Sequence, residues 1–367
     1  MPADRPFEEL FGRAPTSRAE APGRVNLMGD HTDYNAGFVF PAAIPQRTAV
    51  EVAPSDGERV RAWSRECGDG VEEFAVGREE RGRGWLDYVQ AATFVLAREG
   101  AAIGGFDLRV ASAIPPGSGL SSSAALSVAL LRALRGAFGL TLDDRAIARL
   151  ARRAENEFVG APVGIMDPMA VTFAATGRAM FLDTRSLEFE LVALPRAAEL
   201  AVVHSGVAHR NDEGGYRTRR AECALAAVRL GVGTLRDLSP GDLPRVDLLE
   251  PPLNRRARHV VTENERVLET VAAFRDGRIE DAGRAFFESH RSLAEDFEVS
   301  TPEIDAMVDL AAAEPGILGA RITGGGFGGA VVMLAARGEA ARAARAVASS
   351  YGQLTGKRAT VLLPEAR

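Results

Sequence analysis

The segment Gly23–Asn35, GRVNLMGDHTDYN, constrains the fold of this chain more than any other stretch. It sets Arg24, Asp30, His31 and Asp33 among Gly and Asn residues. A strand and turn in a core does not carry that much charge, because a desolvated charge without a partner is expensive. One resolution is a solvated polar turn. The other is a ligand covered with hydroxyl groups: carboxylates accept from hydroxyls, and His and Asn hold those that remain.

Size and composition narrow the classes. A chain of 367 residues is long for one core and reads as two domains. With 46% hydrophobic and 26% charged residues it is globular. A net charge of −6, from 44 basic and 50 acidic residues, and few aromatics argue against nucleic acid as a partner. Lys357 is the only lysine, which excludes a catalytic lysine in the body of the chain and any lysine-dependent phosphate loop. Cys67 and Cys223 form neither a metal spacing nor a disulfide framework, so a reducing compartment fits. The start, MPADRPFEEL, is not a secretory signal, and no apolar run is long enough for a bilayer. A soluble, cytoplasmic protein without a membrane partner is expected.

Patterning predicts strands at 48–52, 60–64, 106–113, 179–183 and 189–194, with helices over 86–98, 122–138, 143–158 and 166–174. The second half is richer in helix: 216–230, 256–274, 279–295 and 302–313. It closes with strands 317–323 and 330–335, helix 339–350 and strand 358–363. Mixed elements in each half give α+β layers, with a boundary near 185–198 and domains of 1–190 and 191–367.

Between a strand and an apolar helix lies PPGSGLSSSAA, Pro115–Ala125. Gly117 and Gly119 let the backbone approach a ligand. Ser121–Ser123 suit helix capping. A row of free N–H groups at a helix start favours an anion, and a serine hydroxyl there can ligate Mg²⁺. The plain alternative is a glycine turn with a serine cap and no ligand. A second loop, TGGGFGG at Thr323–Gly329, must bring its backbone close either to another loop or to a nucleotide. Glu155 and Asp167 flank a glycine-containing turn and could be a helix cap, or a carboxylate pair with one acid on Mg²⁺ and one facing a nucleophilic hydroxyl.

Together these segments resemble the galactokinases, within the wider GHMP family of small-molecule kinases that includes homoserine, mevalonate and phosphomevalonate kinases. GRVNLMGDHTDYN, PPGSGLSSSAA and RITGGGFGG stand in the family's order, and the likeness covers almost the whole chain. The GDHTDYN run and the spacing of His209, Tyr216, Arg219, Arg220 and Cys223 mark the galactokinase branch.

The resemblance implies a two-domain GHMP-kinase-like fold with the active site in the interdomain cleft. It implies Mg-ATP-dependent phosphorylation of D-galactose at the anomeric hydroxyl. Asp30 and His31 would lie near O6 and Asp33 near O3 and O4, with Tyr216 and the Gly164 backbone against the sugar. Ser123 and Glu155 would hold Mg²⁺. Gly117, Ser118, Gly119, Leu120, Ser121 and Ser122 would cradle the ATP phosphates, and Trp85 would lie near the adenine. Asp167 would face the anomeric hydroxyl, as base or as orienting charge, with Arg24 beside it. A monomer or weak homodimer is expected.

This sequence departs from the family at four positions. Asp30 stands where Glu is usual, withdrawing the carboxylate by about 1.5 Å. Val163, Pro168 and Ala330 replace Cys, Gln and Cys and leave the chemistry untouched. Asp30 bears on the identity of the sugar, so galacturonate, arabinose and N-acetylgalactosamine are the rival acceptors. A catalytically silent sugar sensor would be expected to lose part of the serine loop or Asp167, and this chain keeps both.

Overall fold

Strands and helices alternate through a computed structural model that describes residues 4–68, 70–115, 117–207 and 213–363. His209 lies outside the described residues. By contacts the chain forms two compact units: residues 1–24, 44–116 and 121–173 make the first, and 25–43, 117–120 and 174–367 the second. No single cut after residue 190 produces them. The strands Ser17–Asn26 and Pro41–Pro54 each run from one unit into the other, so the chain passes between units several times.

In the first unit, Phe106–Ser112 pairs antiparallel with the Thr48–Pro54 stretch and parallel with Arg59–Ser64. Arg59–Ser64 in turn pairs with Glu72–Ala75. The helix Ser122–Phe138 packs against Leu86–Arg98, Asp144–Arg153 and Met166–Phe173. It buries Ala124, Ala125, Val128, Ala129, Leu130, Leu131, Ala133 and Leu134, which is the behaviour of a helix apolar nearly all round. The helix expected over 143–158 is not uniform: it is α-helical to Arg153 and continues as a π-turn, Ala154–Val159, ended by Gly160 at φ 85°. Such widened turns concentrate at functional sites, and this one carries Glu155.

The second unit is built on an antiparallel sheet ordered Ile317–Thr323, Ala330–Ala336, Ala198–His204, Thr360–Leu363. Leu253–Asp276 packs on Ile279–Glu295 and on Glu213–Leu230. The helix Ile279–Glu295 sits directly on the strand Ile317–Thr323. A Cβ at Gly283 would lie 2.2 Å from the Leu318 carbonyl oxygen, and one at Gly319 2.3 Å from that of Gly283, so both positions demand glycine.

Strands Ser17–Asn26, Glu72–Ala75 and Ala198–His204 were not among the expected ones. SRAEAPGRVN has Pro22, Gly23 and several charges, which intrinsic strand preference disfavours; pairing with Pro41–Pro54 overrides it. Among the described residues no helix is long and apolar enough to cross a membrane.

Arg24, Asp30 and His31 of the opening segment are buried, and Asp33 is half-buried. Asp30 is 2% exposed and Arg321, on the sheet, is fully buried. Arg321 Nη2 donates to Asp30 Oδ2 and Nη1 to the Leu27 carbonyl at 2.8 Å, with Glu263 3.6 Å away. Asp30 Oδ1 also accepts from Asn26 Nδ2 (3.0 Å) and the Gly324 N–H (3.2 Å). Glu263 accepts from the Gly29 N–H at 2.9 Å, from Ser289 and from Arg266. Burial alone would raise the Glu263 carboxyl, but Arg266 and Arg321 outweigh it and hold it well below the ordinary range. Removing the shared cation leaves two buried carboxylates short of a partner. Arg321→Met is therefore expected to cost about 3–5 kcal/mol in chemical denaturation; a change within experimental error would contradict the buried network.

Candidate active site

In the first unit, the end of one strand meets the start of one helix. Arg24, near the end of Ser17–Asn26, is 4% exposed and reaches Asp167 in the first turn of Met166–Phe173. Nε donates to Oδ1 at 2.8 Å and Nη2 to Oδ2 at 2.7 Å, a bidentate fork. The Asp167 side chain retains 27% exposure against 5% for Arg24, so the acid is the member a substrate can reach.

Glu155 is the second acid and is 3% exposed. Burial first, then repulsion from Asp167, pushes its carboxyl from 4.5 up to about 8, against a Ser123 hydrogen bond and Arg24, which pull it down. Arg24 balances Asp167, and a second negative charge appears only when Glu155 gives up its proton. Glu155 and the Ser123 hydroxyl offer oxygen donors, the kind a hard divalent cation takes.

The serines do not act as caps. Ser121 occupies the N-cap position of Ser122–Phe138, but its backbone is left-handed (φ 60°, ψ 44°) and it makes no capping bond. Its hydroxyl donates to Asp167 Oδ2 at 2.6 Å, which corrects the capping expectation: the left-handed backbone departs from the extended one an N-cap takes to accept from the first-turn N–H groups. Gly164 is buried in the stretch before Asp167. Trp85 is half-buried, and its Nε1 donates to Glu72 Oε1 at 2.5 Å.

The second unit carries the remaining candidates. Gly117 and Gly119 have φ of 67° and 75°, while Ser118 and Leu120 are buried. A Cβ at Gly324 would sit 3.1 Å from the Gly119 carbonyl oxygen, so the TGGGFGG loop packs on the other glycine loop, one of its two expected uses.

His31 takes a left-handed backbone (φ 64°), with its carbonyl held by Asn35 Nδ2 at 2.9 Å. Its ring is flanked by Tyr34, Tyr216 and Phe297, with centroids 5.8, 5.5 and 4.7 Å away. Burial, then His259 and Arg219, lower its pKa to about 3, so the imidazole is neutral near pH 7. Nδ1 is 2.9 Å from the Tyr34 hydroxyl, and Nε2 is buried without a hydrogen-bond partner among the described residues. An orphaned buried nitrogen of this kind is what a ligand hydroxyl would satisfy. Asp33 is half-buried, and its Oδ1 accepts from the Tyr34 N–H at 2.8 Å. Cys223 is buried, and burial pushes its thiol up to about 12, which leaves it inert.

The sequence reading missed the supports of this cluster. His259, lowered to about 4 chiefly by burial, lies with Nε2 3.1 Å from the Asp30 carbonyl. Arg321, Glu263 and Tyr34 were also missed in these roles. Arg321 had a signal, as a charge inside the apolar strand that leads into the glycine loop.

A carboxyl whose native pKa lies above its unfolded value binds a proton more tightly when folded. Glu155 thus contributes stability that is complete below about pH 4.5 and is lost as pH rises through about 8. Glu155→Gln is expected to flatten the fall in melting temperature between pH 5.5 and 8 that the parent chain shows without metal. Parallel profiles for the two proteins would remove the basis for that shift.

Three family models match in order: the galactokinase galactose-binding signature over residues 5–54, the GHMP kinases N terminal domain over 87–175 and the GHMP kinases C terminal over 270–353. The chain is 44% identical to a galactokinase of Streptomyces coelicolor over 89% of its own length and 87% of that protein's. It is 41% identical to one of Chloroflexus aurantiacus, covering 96% and 92%. The crystal structure of Lactococcus lactis galactokinase complexed with galactose superposes with a TM-score of 0.93 at 32% identity, covering 97% of this chain and 95% of that one. The Methanococcus jannaschii mevalonate kinase shares the fold, with a TM-score of 0.69 at 18% identity and coverage of 95% and 98%. Family signature, relatives and a neighbouring structure concur: this chain belongs to the galactokinase family of GHMP kinases.

Proposed function

We propose that this chain transfers the γ-phosphoryl group of ATP to the anomeric hydroxyl of D-galactose, giving α-D-galactose 1-phosphate and ADP in the cytoplasm. The observation that carries the reading is the fork from Arg24 to Asp167, with Glu155 beside it. Phosphoryl transfer asks a protein mainly for positioning and charge neutralisation. Asp167 accepts a hydrogen bond from the C1 hydroxyl and orients one oxygen lone pair toward phosphorus. As the C1 oxygen–phosphorus bond forms and the bond to the ADP oxygen breaks, the hydroxyl proton passes to Asp167. Arg24 lies where it can stabilise the charge that develops on the moving group. Glu155 and the Ser123 hydroxyl supply oxygen donors for Mg²⁺, which when bound neutralises triphosphate charge.

On the sugar side, His31 directs its unpartnered Nε2 at a hydroxyl, Asp33 takes O3 and O4, and Tyr216 and the Gly164 backbone bound the ring. Asp30 already accepts from Arg321, Asn26 and Gly324, so its part at O6 is shared with holding the segment in place. The backbone of Gly117–Ser122 serves the phosphates and Trp85 the adenine edge.

Sugar-dependent ADP release over galactose, galacturonate, arabinose and N-acetylgalactosamine tests the acceptor. Galactose is expected to give the highest kcat/KM, and much faster turnover of another sugar would reassign it. Asp167→Asn is expected to abolish turnover while calorimetry still detects sugar binding. Arg24→Met should lower kcat by about 10³ or more. Retained activity in either variant would remove these residues from the chemistry.

A further inference from the structure

Ser121 and Ser123 stand two residues apart at the start of one buried helix, and each hydroxyl donates to a different acid. Ser121 donates to Asp167 and Ser123 to Glu155. Asp167 and Glu155 repel one another strongly enough to help raise Glu155. The alternate serines thus fasten two mutually repelling carboxylates to a rigid element at separate points.

Ser121 is the less expected member. It is 8% exposed, and its left-handed backbone is uncommon for a residue with a Cβ. A carboxylate rotates broadly about its last torsion, and Arg24 alone holds it along one edge. The Ser121 hydroxyl adds a donor to Oδ2 from outside the arginine, whereas Oδ1 faces Arg24 Nε at 2.8 Å and Nη2 at 2.7 Å.

We infer that Ser121 is a positioning residue for the transfer reaction: by donating to Oδ2 from outside the Arg24 guanidinium it fixes the plane of the Asp167 carboxylate presented to the substrate hydroxyl. This rests on the kinase reading above. A role in nucleotide binding alone, as the glycine–serine loop suggests, would act on ATP affinity. A positioning role acts on turnover, because a small misplacement of a reacting group costs rate even when binding is intact.

Ser121→Ala and Ser121→Gly separate these readings. Both remove the hydroxyl, and glycine also accepts the left-handed backbone without steric cost. Both are expected to lower kcat by about ten- to a hundredfold with KM for ATP within about threefold of the parent. A raised KM for ATP with kcat retained would overturn the inference, and so would full activity in the glycine variant alone. A double-mutant cycle of Ser121→Ala with Asp167→Ala, read by denaturation, needs no turnover. The pair should be coupled by about tenfold or more in the unfolding constant, and additive effects would overturn the inference whatever the enzyme does. Coupling in a chain that turns over no sugar would instead sink the kinase reading and leave the clamp standing.

Discussion

The structure depends first on a guanidinium held against a carboxylate 143 residues away. Arg24 is buried and needs a partner, and Asp167 supplies both oxygens in fork geometry. That pairing joins the end of a strand to the first turn of a helix, and it places a reachable acid beside a fixed positive charge. Ser121, Ser123 and Glu155 are arranged around it. The helix that carries the serines is apolar nearly all round and packs against three neighbours, so these hydroxyls sit on a rigid element.

The second unit solves its charge problem by the same physics with a different result. Asp30, Glu263, Arg266 and Arg321 are interlinked, and backbone N–H groups of Gly29 and Gly324 share the load. Buried ion pairs add little net stability over a well-packed apolar core but penalise any arrangement that leaves one charge alone. Their effect here is to hold the segment around His31 in one conformation, including its left-handed backbone. The imidazole is kept neutral by burial and keeps one nitrogen unspent.

Glu155 shows a cost accepted for function. An acid with its carboxyl pushed up to about 8 is poorly solvated, and it sits on a π-turn where an ordinary helix would be easier to build.

Much was legible in the sequence because it was local. Helices Leu86–Arg98, Ser122–Phe138, Ile279–Glu295 and Pro302–Ala313 follow from apolar spacing within one stretch of chain and end where expected. The three motifs declared both their glycine-permitted backbones and their family, since glycine requirements and charge clusters are written residue by residue. Strand Ser17–Asn26 was not legible, because its residues disfavour a strand until a partner strand pairs with them. Nor was the turning of Ser121 from helix cap to carboxylate donor, the commitment of Asp30 to Arg321, or the division of the chain into units that it enters more than once. Each is set by which distant group lies within hydrogen-bond reach. Local pattern determined what each segment of this protein could be; only the packed structure decided which charge met which, because desolvation makes that choice and acts on neighbours in space.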